Sequence, residues 1–415
     1  MSAETIILAA ATLIGLYMAA NIGANDLANA MGTSVGSRAL TLKQAVVISI
    51  VANLLGAILA GGHVTNTIRK GMINPELLAG SPEHLMMGMF AALLAAGIWV
   101  HLATVFGLPV STTHSIVGAV VGFGMISVGV GAISWGKVIT IAISWVVSPM
   151  AGAIIAGGIY YLIRNKILRS DTPEKMAMQW SPYLIGGVLV VIVLSFIFKG
   201  LKNLHLDLGL GQALAIAVPC AAAGGFLGRL WLKYLLRRDL EREDQAAPLQ
   251  SFFAHLQVMT ACYVAFAHGA NDVANAIGPL AAIFSVVKTG SVAMQIEVPV
   301  WMLAVGGIAV GGGLFAFGSR VMETIGGKIT EVTPVRGFCA EFGAATTILV
   351  CSRLGLPVST THVLVGAVVG VGFMRGMGFL DMRLLRNIGS SWVITLPFTM
   401  VLAIVLYKLL TFFFL

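Results

Sequence analysis

The sequence predicts an all-α integral membrane protein with about twelve membrane segments, some of them broken or re-entrant, arranged as two inverted-topology repeats. Three observations lead to this fold class: the apolar composition, the recurrence of long apolar stretches, and an internal duplication. Of the 415 residues, 58% are hydrophobic and 10% are charged, whereas soluble domains carry about 25% charged residues. This composition argues against a soluble enzyme, a nucleic-acid-binding protein or a disulfide-rich secreted protein.

Apolar stretches recur along the whole chain, and several of them are long enough to cross the hydrocarbon core of a bilayer. They lie at residues 6–20, 44–62, 84–104, 111–131, 137–163, 183–198, 208–232, 252–268, 273–287, 298–317, 337–354, 359–374 and 387–412. Two polar stretches, 164–181 and 233–251, flank a central pair of predicted helices. We therefore expect a first repeat at 1–163, central linkers with two membrane helices at 164–251, and an inverted second repeat at 252–415.

Two sequence motifs each occur once in either half of the chain. The ten residues GANDLANAMG, which begin at Gly23, return from Gly269 as GANDVANAIG, identical at eight positions. The 18 residues GLPVSTTHSIVGAVVGFG, which begin at Gly107, return from Gly355 as GLPVSTTHVLVGAVVGVG, identical at 15 positions. The spacing is 85 residues in the first half, from Asp26 to Ser111, and 87 in the second, from Asp272 to Ser359, so each half is expected to be one structural unit.

Counting membrane crossings predicts the relative orientation of the two repeats. An odd number of crossings precedes the first polar stretch, whether or not 84–104 and 111–131 form a re-entrant pair. The two central helices return the chain to the same side, so the second repeat begins on the opposite face. Placing both polar stretches in the cytoplasm puts most Lys and Arg residues inside, with both termini outside a plasma membrane. The net charge of +8 then reports orientation rather than a nucleic-acid partner.

Asp26 and Asp272 lie in apolar surroundings, where an ionised carboxylate is costly unless it is paired or hydrated. Each belongs to a Gly-Ala-Asn-Asp-x-Ala-Asn run, whose glycine and amides favour a helix break that frees backbone carbonyls. Carboxylate, amide and carbonyl oxygens are hard ligands that suit Na⁺ or Mg²⁺ better than zinc. These runs therefore predict cation sites, and the alternative interpretation is a pair of Asx-capped helix ends.

The second motif predicts two helix N-termini, because in each copy Ser and Thr follow a proline that prevents an earlier start. A helix start presents free N–H donors and a positive dipole, and adjacent hydroxyls add further donors. The predicted anion-binding residues are Ser111, Thr112, Thr113, Ser359, Thr360 and Thr361. In the alternative interpretation these hydroxyls only cap the helices and hydrogen-bond between them.

An inverted repeat would bring all four elements to the bilayer midplane, where secondary transporters bind their substrates. Two carboxylates beside a multivalent anion repel it strongly, so cations must neutralise the cluster. The sequence therefore predicts co-transport of a small oxyanion with cations.

With both duplicated motifs, and with Gly318-Ser319-Arg320 to Pro334 between the second pair, the chain closely resembles the inorganic phosphate transporter family, PiT. The resemblance covers nearly the whole chain apart from the linkers. It implies a fold with inverted repeats, a homodimer in the lipid bilayer, and symport of inorganic phosphate with Na⁺ or H⁺ by alternating access, without a covalent cofactor. The chain departs from some members at Asn53, where they carry an acid, and it has no large central loop.

The resemblance also implies roles for individual residues. The carboxylates of Asp26 and Asp272 would bind the co-transported ion, and the six hydroxyl residues would bind phosphate. Four amides would assist the carboxylates: Asn25, Asn29, Asn271 and Asn275. Glu341 resembles a further family acid near the permeation route. It has no twin, since Leu93 stands at the equivalent place, so a lone interhelical hydrogen bond is an alternative role.

Two histidines, His114 and His362, follow the hydroxyl motifs in both halves. A histidine near an anion can titrate near neutrality and couple transport to protons. Alternatively, each neutral ring bonds a neighbouring helix. His268 precedes the second GAND run where the first has Ile22, and no role is predicted for it.

Three other functions fit the sequence less well. Gly32 to Gly36 matches the G-x-S-x-G nucleophile pattern at Ser34, but that pattern needs a strand, a tight turn and a helix, so we expect no enzyme. A channel is compatible with acids and helix-break carbonyls, but the hydroxyl-rich helix starts argue against a pure cation channel. Among carriers, sulfate is the alternative tetrahedral substrate.

Overall fold

The computed structural model describes residues 2–72, 75–200, 208–239, 247–292, 298–353 and 358–415. Of these, 60–72, 75–76, 199–200, 235–239, 247–248 and 352–353 are described by their backbone alone. The described secondary structure is helical in every element, which confirms the all-α fold class.

The helices follow the predicted apolar stretches. In chain order they are α1 Ala3–Ile22, α2 Ala28–Gly36, α3 Leu42–Met72, α4 Pro82–Val105, α5 Thr112–Ser127, α6 Trp135–Ile163, α7 Pro173–Ser195, α8 Leu210–Asp239, α9 Ala247–Thr289, α10 Val300–Phe317, α11 Ser319–Glu323, α12 Pro334–Arg353, α13 Thr360–Arg375 and α14 Met382–Phe414. Single π-helical turns extend or join several of them, at Gly23–Leu27, Arg164–Leu168, Phe196–Gly200 and Thr324–Lys328.

Nine stretches of the described chain are long and apolar enough to cross a membrane. They are α1 continued through α2, then α3, α4, α6, α7, α8, α9, α10 and α14. Helices α5 and α13 have 16 residues each, which gives about 24 Å, less than the hydrocarbon core of about 30 Å. The protein is therefore a multi-pass membrane protein with two helices too short to span the core, which we call the half-length helices. The number of about twelve segments stays a prediction.

The predicted helix breaks at the two GAND runs are wrong. The first run forms a π turn that joins α1 to α2 without leaving the helix, and the second lies inside the uninterrupted helix α9, where two segments were expected. The physical reason is that polar side chains of both runs, such as Asp26 and Asn275, find partners on neighbouring helices, so the backbone keeps its own helical hydrogen bonds. Broken-helix carbonyls therefore do not supply ligands at these runs.

The two halves of the chain are packed into each other rather than side by side. Helices α1, α3, α9 and α10 form a central set. Around it, α5 packs with α4 of its own half and α14 of the other, a set that we call group A. Correspondingly, α13 packs with α12 and with α6, which we call group B. Helices α7 and α8 pair with each other beside α9. Each outer group thus combines a helix pair from one half with the last helix of the other.

Glycines permit the closest helix crossings of the central set. A Cβ added at Gly23 of the π turn after α1 would lie 1.7 Å from the carbonyl oxygen of Val310 on α10. A Cβ added at Gly269 of α9 would lie 1.9 Å from the carbonyl oxygen of Asn53 on α3. Small residues allow membrane helices to approach this closely. The first glycine of each GAND run therefore places its helix directly against a helix of the other half, α10 for Gly23 and α3 for Gly269.

The C-terminal end of α13 is fixed by an ion-pair network in the segment before α12. Glu331 accepts hydrogen bonds from Arg336 at 3.1 Å and from Arg375, the last residue of α13, at 3.0 Å. The hydrogen bond and charge of Arg336, with the charge of Arg375, hold the pKa of the Glu331 carboxyl below its ordinary value. This network holds one end of the half-length helix whose other end carries Ser359 to Thr361.

Candidate functional site

The two predicted helix N-termini are confirmed. Ser111 and Ser359 have extended backbone and precede the first residues of α5 and α13. Their hydroxyl oxygens accept the backbone N–H of His114 at 3.2 Å and of His362 at 3.3 Å. Both serines therefore act as N-caps, and the hydroxyls that follow them are directed to other partners.

Both predicted carboxylates are buried and lie together. Asp26 is 2% exposed and Asp272 is 4% exposed. One oxygen of each, together with a ring nitrogen of His268, falls within a cluster whose atoms are all within 4.8 Å of one another. The GAND runs of the two halves thus meet at one place, although they are far apart in sequence.

Each carboxylate receives hydroxyl groups from both half-length helices. Asp26 accepts from Thr112 of α5 and, at 2.8 Å, from Thr361 of α13. Asp272 accepts from Thr113 of α5 at 3.5 Å and from Thr360 of α13 at 3.3 Å. The four threonines of the second motif therefore surround the two aspartates of the first.

Two of the four predicted amides join this cluster. The Nδ2 atom of Asn29 donates to Thr361 at 3.0 Å. The Nδ2 atom of Asn275 lies 3.2 and 3.1 Å from the hydroxyl oxygens of Thr112 and Thr113 and 3.3 Å from Asp272. Within the described part of the chain, the buried Oδ1 atom of Asn29 has no hydrogen-bond partner, which leaves a hard oxygen available to a cation.

The other two amides lie differently. Asn25 donates to the Thr104 hydroxyl and to the Leu108 carbonyl, both at 3.0 Å, and accepts the N–H of Val110 at 3.0 Å. Its side chain therefore holds the connector between α4 and α5, and so positions the start of α5. Asn271 is half-buried, and the connector that corresponds to it, at 354–357, lies outside the described residues.

His268 is a site residue for which the sequence predicted no role. Its Nε2 atom lies 3.1 Å from Asp272 and 4.0 Å from Asp26, and the side chain is 2% exposed. It precedes Asp272 by one helical turn, a spacing that puts both on one face of α9. That spacing is the sequence signal for its role, but His268 has no counterpart in the first half, so the duplication does not indicate it.

Glu341 forms a second buried polar cluster, built from helices of both halves. The carboxylate is fully buried. One oxygen accepts from Ser34 at 2.8 Å, and the other accepts from Thr260 at 2.7 Å. Thr33 and Gln257 also donate to it. A carboxylate with several neutral donors is well satisfied, but its charge has no cationic side chain within the described salt bridges.

Ser34 itself lies inside helix α2 and donates to Glu341. The G-x-S-x-G match therefore has neither the strand nor the sharp turn of a nucleophile elbow. The pattern at this serine carries no support for an esterase-like site.

The two histidines of the second motif contact aromatic rings and each other. The ring centroids of His114 and His362 are 4.7 Å apart. His114 also lies 4.4 Å from Trp145, and His362 lies 3.7 Å from Trp392. These rings lie on a different side of the helix turns from the threonines that bond the aspartates.

The cluster around Asp26, Asp272 and His268, which we call the main cluster, combines groups that bind cations with groups that bind anions. Two carboxylates and an amide oxygen are hard ligands for a small cation. Two helix N-termini, four hydroxyls and an imidazole can donate to an anion. The arrangement therefore has groups that suit a small oxyanion bound together with cations.

Comparisons with known proteins agree with this chemistry. A sequence model of the phosphate transporter family matches residues 22–403. A putative phosphate permease of Pyrococcus abyssi is 44% identical over 96% of both chains. The chloroplast inorganic phosphate transporter 2-1 of Arabidopsis thaliana is 42% identical over 98% of this chain and 72% of its own. A solved structure described as the sodium-dependent phosphate transporter superposes with a TM-score of 0.88, at 40% identity, over 98% of this chain and 99% of that one.

Proposed function

Because the chain belongs to the phosphate transporter family, we propose that it is a symporter that takes up inorganic phosphate together with Na⁺. The observation that carries this proposal is the contact of each buried carboxylate with hydroxyls from both half-length helices. Cation ligands and anion donors thereby share one small site. Sodium is favoured over H⁺ because a structurally similar protein is described as sodium-dependent and because the oxygens are hard ligands.

The charge of the site explains why cation and anion would move together. The candidate ligand atoms of the two carboxylates lie within 4.8 Å of each other. Two like charges at that distance repel each other by at least roughly 3 kcal/mol at an effective dielectric constant of about 20. A phosphate anion adds further repulsion. Bound Na⁺ ions on Asp26, Asp272, Asn29 and Asn275 would remove it, while Thr112, Thr113, Thr360 and Thr361 would turn from the carboxylates to phosphate.

We further propose that 1–163 and 252–415 are inverted repeats which alternate access to this site from the two faces, with 164–251 as the cytoplasmic connection. The reciprocal helix crossings at Gly23 and Gly269 support this proposal. Both termini would lie outside a plasma membrane, as the distribution of basic residues predicts. A homodimer is the expected assembly, and no enzymatic activity is proposed.

Uptake into proteoliposomes tests this function. We expect labelled phosphate to accumulate under an inward Na⁺ gradient, and to do so much less when an H⁺ gradient replaces it. Counterflow should occur, since a carrier exchanges bound substrate and a pore does not. The relatives described above are phosphate permeases or transporters by name, so the sulfate alternative has no support among them. Strong competition by sulfate, or uptake without any cation dependence, would contradict the proposal.

We also propose Glu341 as the acid of an accessory cation site. The observation behind it is a fully buried carboxylate that accepts hydrogen bonds from the hydroxyls of Ser34, Thr33 and Thr260 and from Nε2 of Gln257. The carboxylate of Glu341 and the three hydroxyl oxygens around it are hard ligands that a monovalent cation can use. This site would lie outside the main cluster and tune its cation dependence.

Glu341→Gln should raise the Na⁺ concentration for half-maximal uptake by about tenfold, because it removes a charge-assisted interaction worth about 1.5 kcal/mol or more. Phosphate uptake against Na⁺ concentration in proteoliposomes measures this change. Glu83→Gln, at an exposed acid in the first turn of α4, is the matched control and should leave the curve unchanged. A lower melting temperature with an unchanged Na⁺ curve would instead assign Glu341 to an interhelical hydrogen-bond role.

A further inference from the structure

Four aromatic rings from both halves of the chain pack in a row, which we call the ring stack. In order they are Trp145, His114, His362 and Trp392, with centroid separations of 4.4, 4.7 and 3.7 Å. The His–His contact is edge-to-face, and the last pair is stacked. The two tryptophans lie in the same tripeptide, Ser-Trp-Val, on α6 and α14. The stack therefore has corresponding members on each side of its centre.

The ring stack joins the two outer helix groups. His114 on α5 and Trp392 on α14 belong to group A, whereas His362 on α13 and Trp145 on α6 belong to group B. Within the described residues, each group packs extensively on itself and on the central set, and no other extensive packing joins group A to group B. Separation of the groups would therefore break mainly these ring contacts.

The ring stack is also connected directly to the transport site. His114 follows Thr113, and His362 follows Thr361, in the first turns of the half-length helices. The indole Nε1 of Trp392 donates to the carbonyl of Pro109, just before α5, at 2.9 Å. Any movement of one group against the other must therefore change the spacing of the threonines on α5 and α13.

The ring stack contains polar atoms that are buried without a hydrogen bond. Among them are His114 Nδ1 and Trp145 Nε1, which have no partner within the described part of the chain. A buried donor or acceptor without a partner is costly, and the cost disappears when water reaches it. Hydration on opening would therefore offset part of the lost ring packing, so this contact is suited to form and break repeatedly.

We propose that the ring stack is a gate: groups A and B separate along it when the transport site opens, and bound phosphate and Na⁺ favour the closed contact. This proposal rests on the transport function proposed above. Bound ligand would pull the threonines of α5 and α13 toward one another, and the rings on the same helix turns would close with them. The four residues act through helix position and do not contact phosphate.

Cross-linking across the ring stack tests the gate. The four native cysteines are free thiols and are replaced by alanine before His114→Cys and His362→Cys are introduced together. A short bifunctional thiol reagent should lower phosphate uptake by about tenfold or more relative to the same protein before cross-linking, while phosphate binding in detergent persists. Reduction of a cleavable linker should restore uptake. Cross-linked protein that transports at its own uncross-linked rate would overturn the gate.

A second cysteine pair provides the matched control. Trp99 on α4 donates to Thr395 on α14 at 2.9 Å, and both helices belong to group A. The Trp99→Cys/Thr395→Cys pair, cross-linked in the same way, should not lower uptake, since no separation within the group is required. Equal inhibition of both pairs would show that cross-linking simply rigidifies the protein, and would overturn the gate.

Thiol accessibility keeps the proposal testable if the double variant is inactive. His362→Cys alone should react about tenfold more slowly with a small charged thiol reagent when Na⁺ and phosphate are present. Thr395→Cys, buried within group A, should react slowly in both conditions. If His362→Cys reacts at the same rate with and without Na⁺ and phosphate, the gate would be overturned. Absence of any phosphate uptake by the unmodified protein would instead overturn the proposed function itself.

Discussion

Replacing Asp272 by Asn should lower Na⁺-driven phosphate uptake about a hundredfold or more while the protein remains folded. The carboxylate accepts from Thr113 and Thr360 and lies 3.1 Å from His268. Loss of one partner of a buried charge costs about 3 to 5 kcal/mol, and each 1.4 kcal/mol corresponds to a factor of about ten. The asparagine keeps the shape of the side chain but removes the negative charge that would bind a cation.

Two further variants separate this effect from general damage. Asp26→Asn should lower uptake by a similar factor, because Asp26 receives hydroxyls from Thr112 and Thr361 in the corresponding way. Glu323→Gln removes an exposed acid whose only described ion pair is with Lys328, and should leave uptake unchanged. Uptake and its Na⁺ dependence are measured in proteoliposomes, with size-exclusion profiles to establish folding. If either variant kept the parent's rate and Na⁺ dependence, the proposed cation-binding role of that aspartate would be wrong.

The main cluster could be predicted because the residues that form it belong to two motifs that each occur twice in the sequence. Two aspartates in apolar stretches must be satisfied somewhere, and two hydroxyl-rich helix starts must direct their donors somewhere. Because both motifs are duplicated together, the aspartates and the hydroxyl-rich helix starts were expected to be partners of each other. The structure brings Asp26, Asp272 and the four threonines to one place, as that reasoning predicted.

Features that occur once in the chain escaped the same reasoning. His268 has Ile22 as its counterpart, and Glu341 has Leu93, so neither gains support from the duplication. The donors around Glu341 come from α2 and α9, and no sequence pattern indicates which distant helices meet. The role of Asn25 in the α4–α5 connector depends on backbone atoms of Leu108 and Val110, which carry no sequence signal at all.

The packing of the halves into each other also could not be read from the sequence. Apolar stretches fix where helices form, because a segment in lipid must satisfy all its backbone N–H and C=O groups by its own hydrogen bonds. They do not fix which helices pack together, since lipid-facing and protein-facing residues are both apolar. The pairing of α5 with α14 and of α13 with α6 is therefore a tertiary result. The same holds for the ring stack, which exists only because those pairs adjoin.

Gly313→Ala should destabilise the folded protein by about 3 kcal/mol or more, since overpacking of this severity exceeds the usual 1 to 3 kcal/mol. A Cβ at Gly313 of α10 would lie 1.7 Å from the carbonyl oxygen of Ala20 on α1. The contacted atom belongs to the backbone, so no side chain can move aside. The melting temperature in detergent should fall by about 3 °C or more, and the yield of monodisperse protein should fall with it.

Gly312→Ala is the matched control, one residue away in the same helix. A Cβ there meets no atom within 4 Å, and alanine favours a helix over glycine by about 0.5 to 1 kcal/mol. Its melting temperature should therefore stay the same or rise slightly. Equal losses for Gly312→Ala and Gly313→Ala would indicate that α10 is intolerant in general, and that the close crossing has no special role.

The crossing at Gly313 is reciprocal, which is why we expect so large an effect. Gly23, three residues before Asp26, approaches the carbonyl of Val310 on α10 as closely as Gly313 approaches Ala20 on α1. A shift that relieved one clash would tighten the other contact, so the two helices have no free direction in which to relax. The glycine of the GAND run is therefore needed for packing and not for a helix break: it fixes the helix that carries Asp26 against the other half of the chain, where the carboxylate meets Thr361.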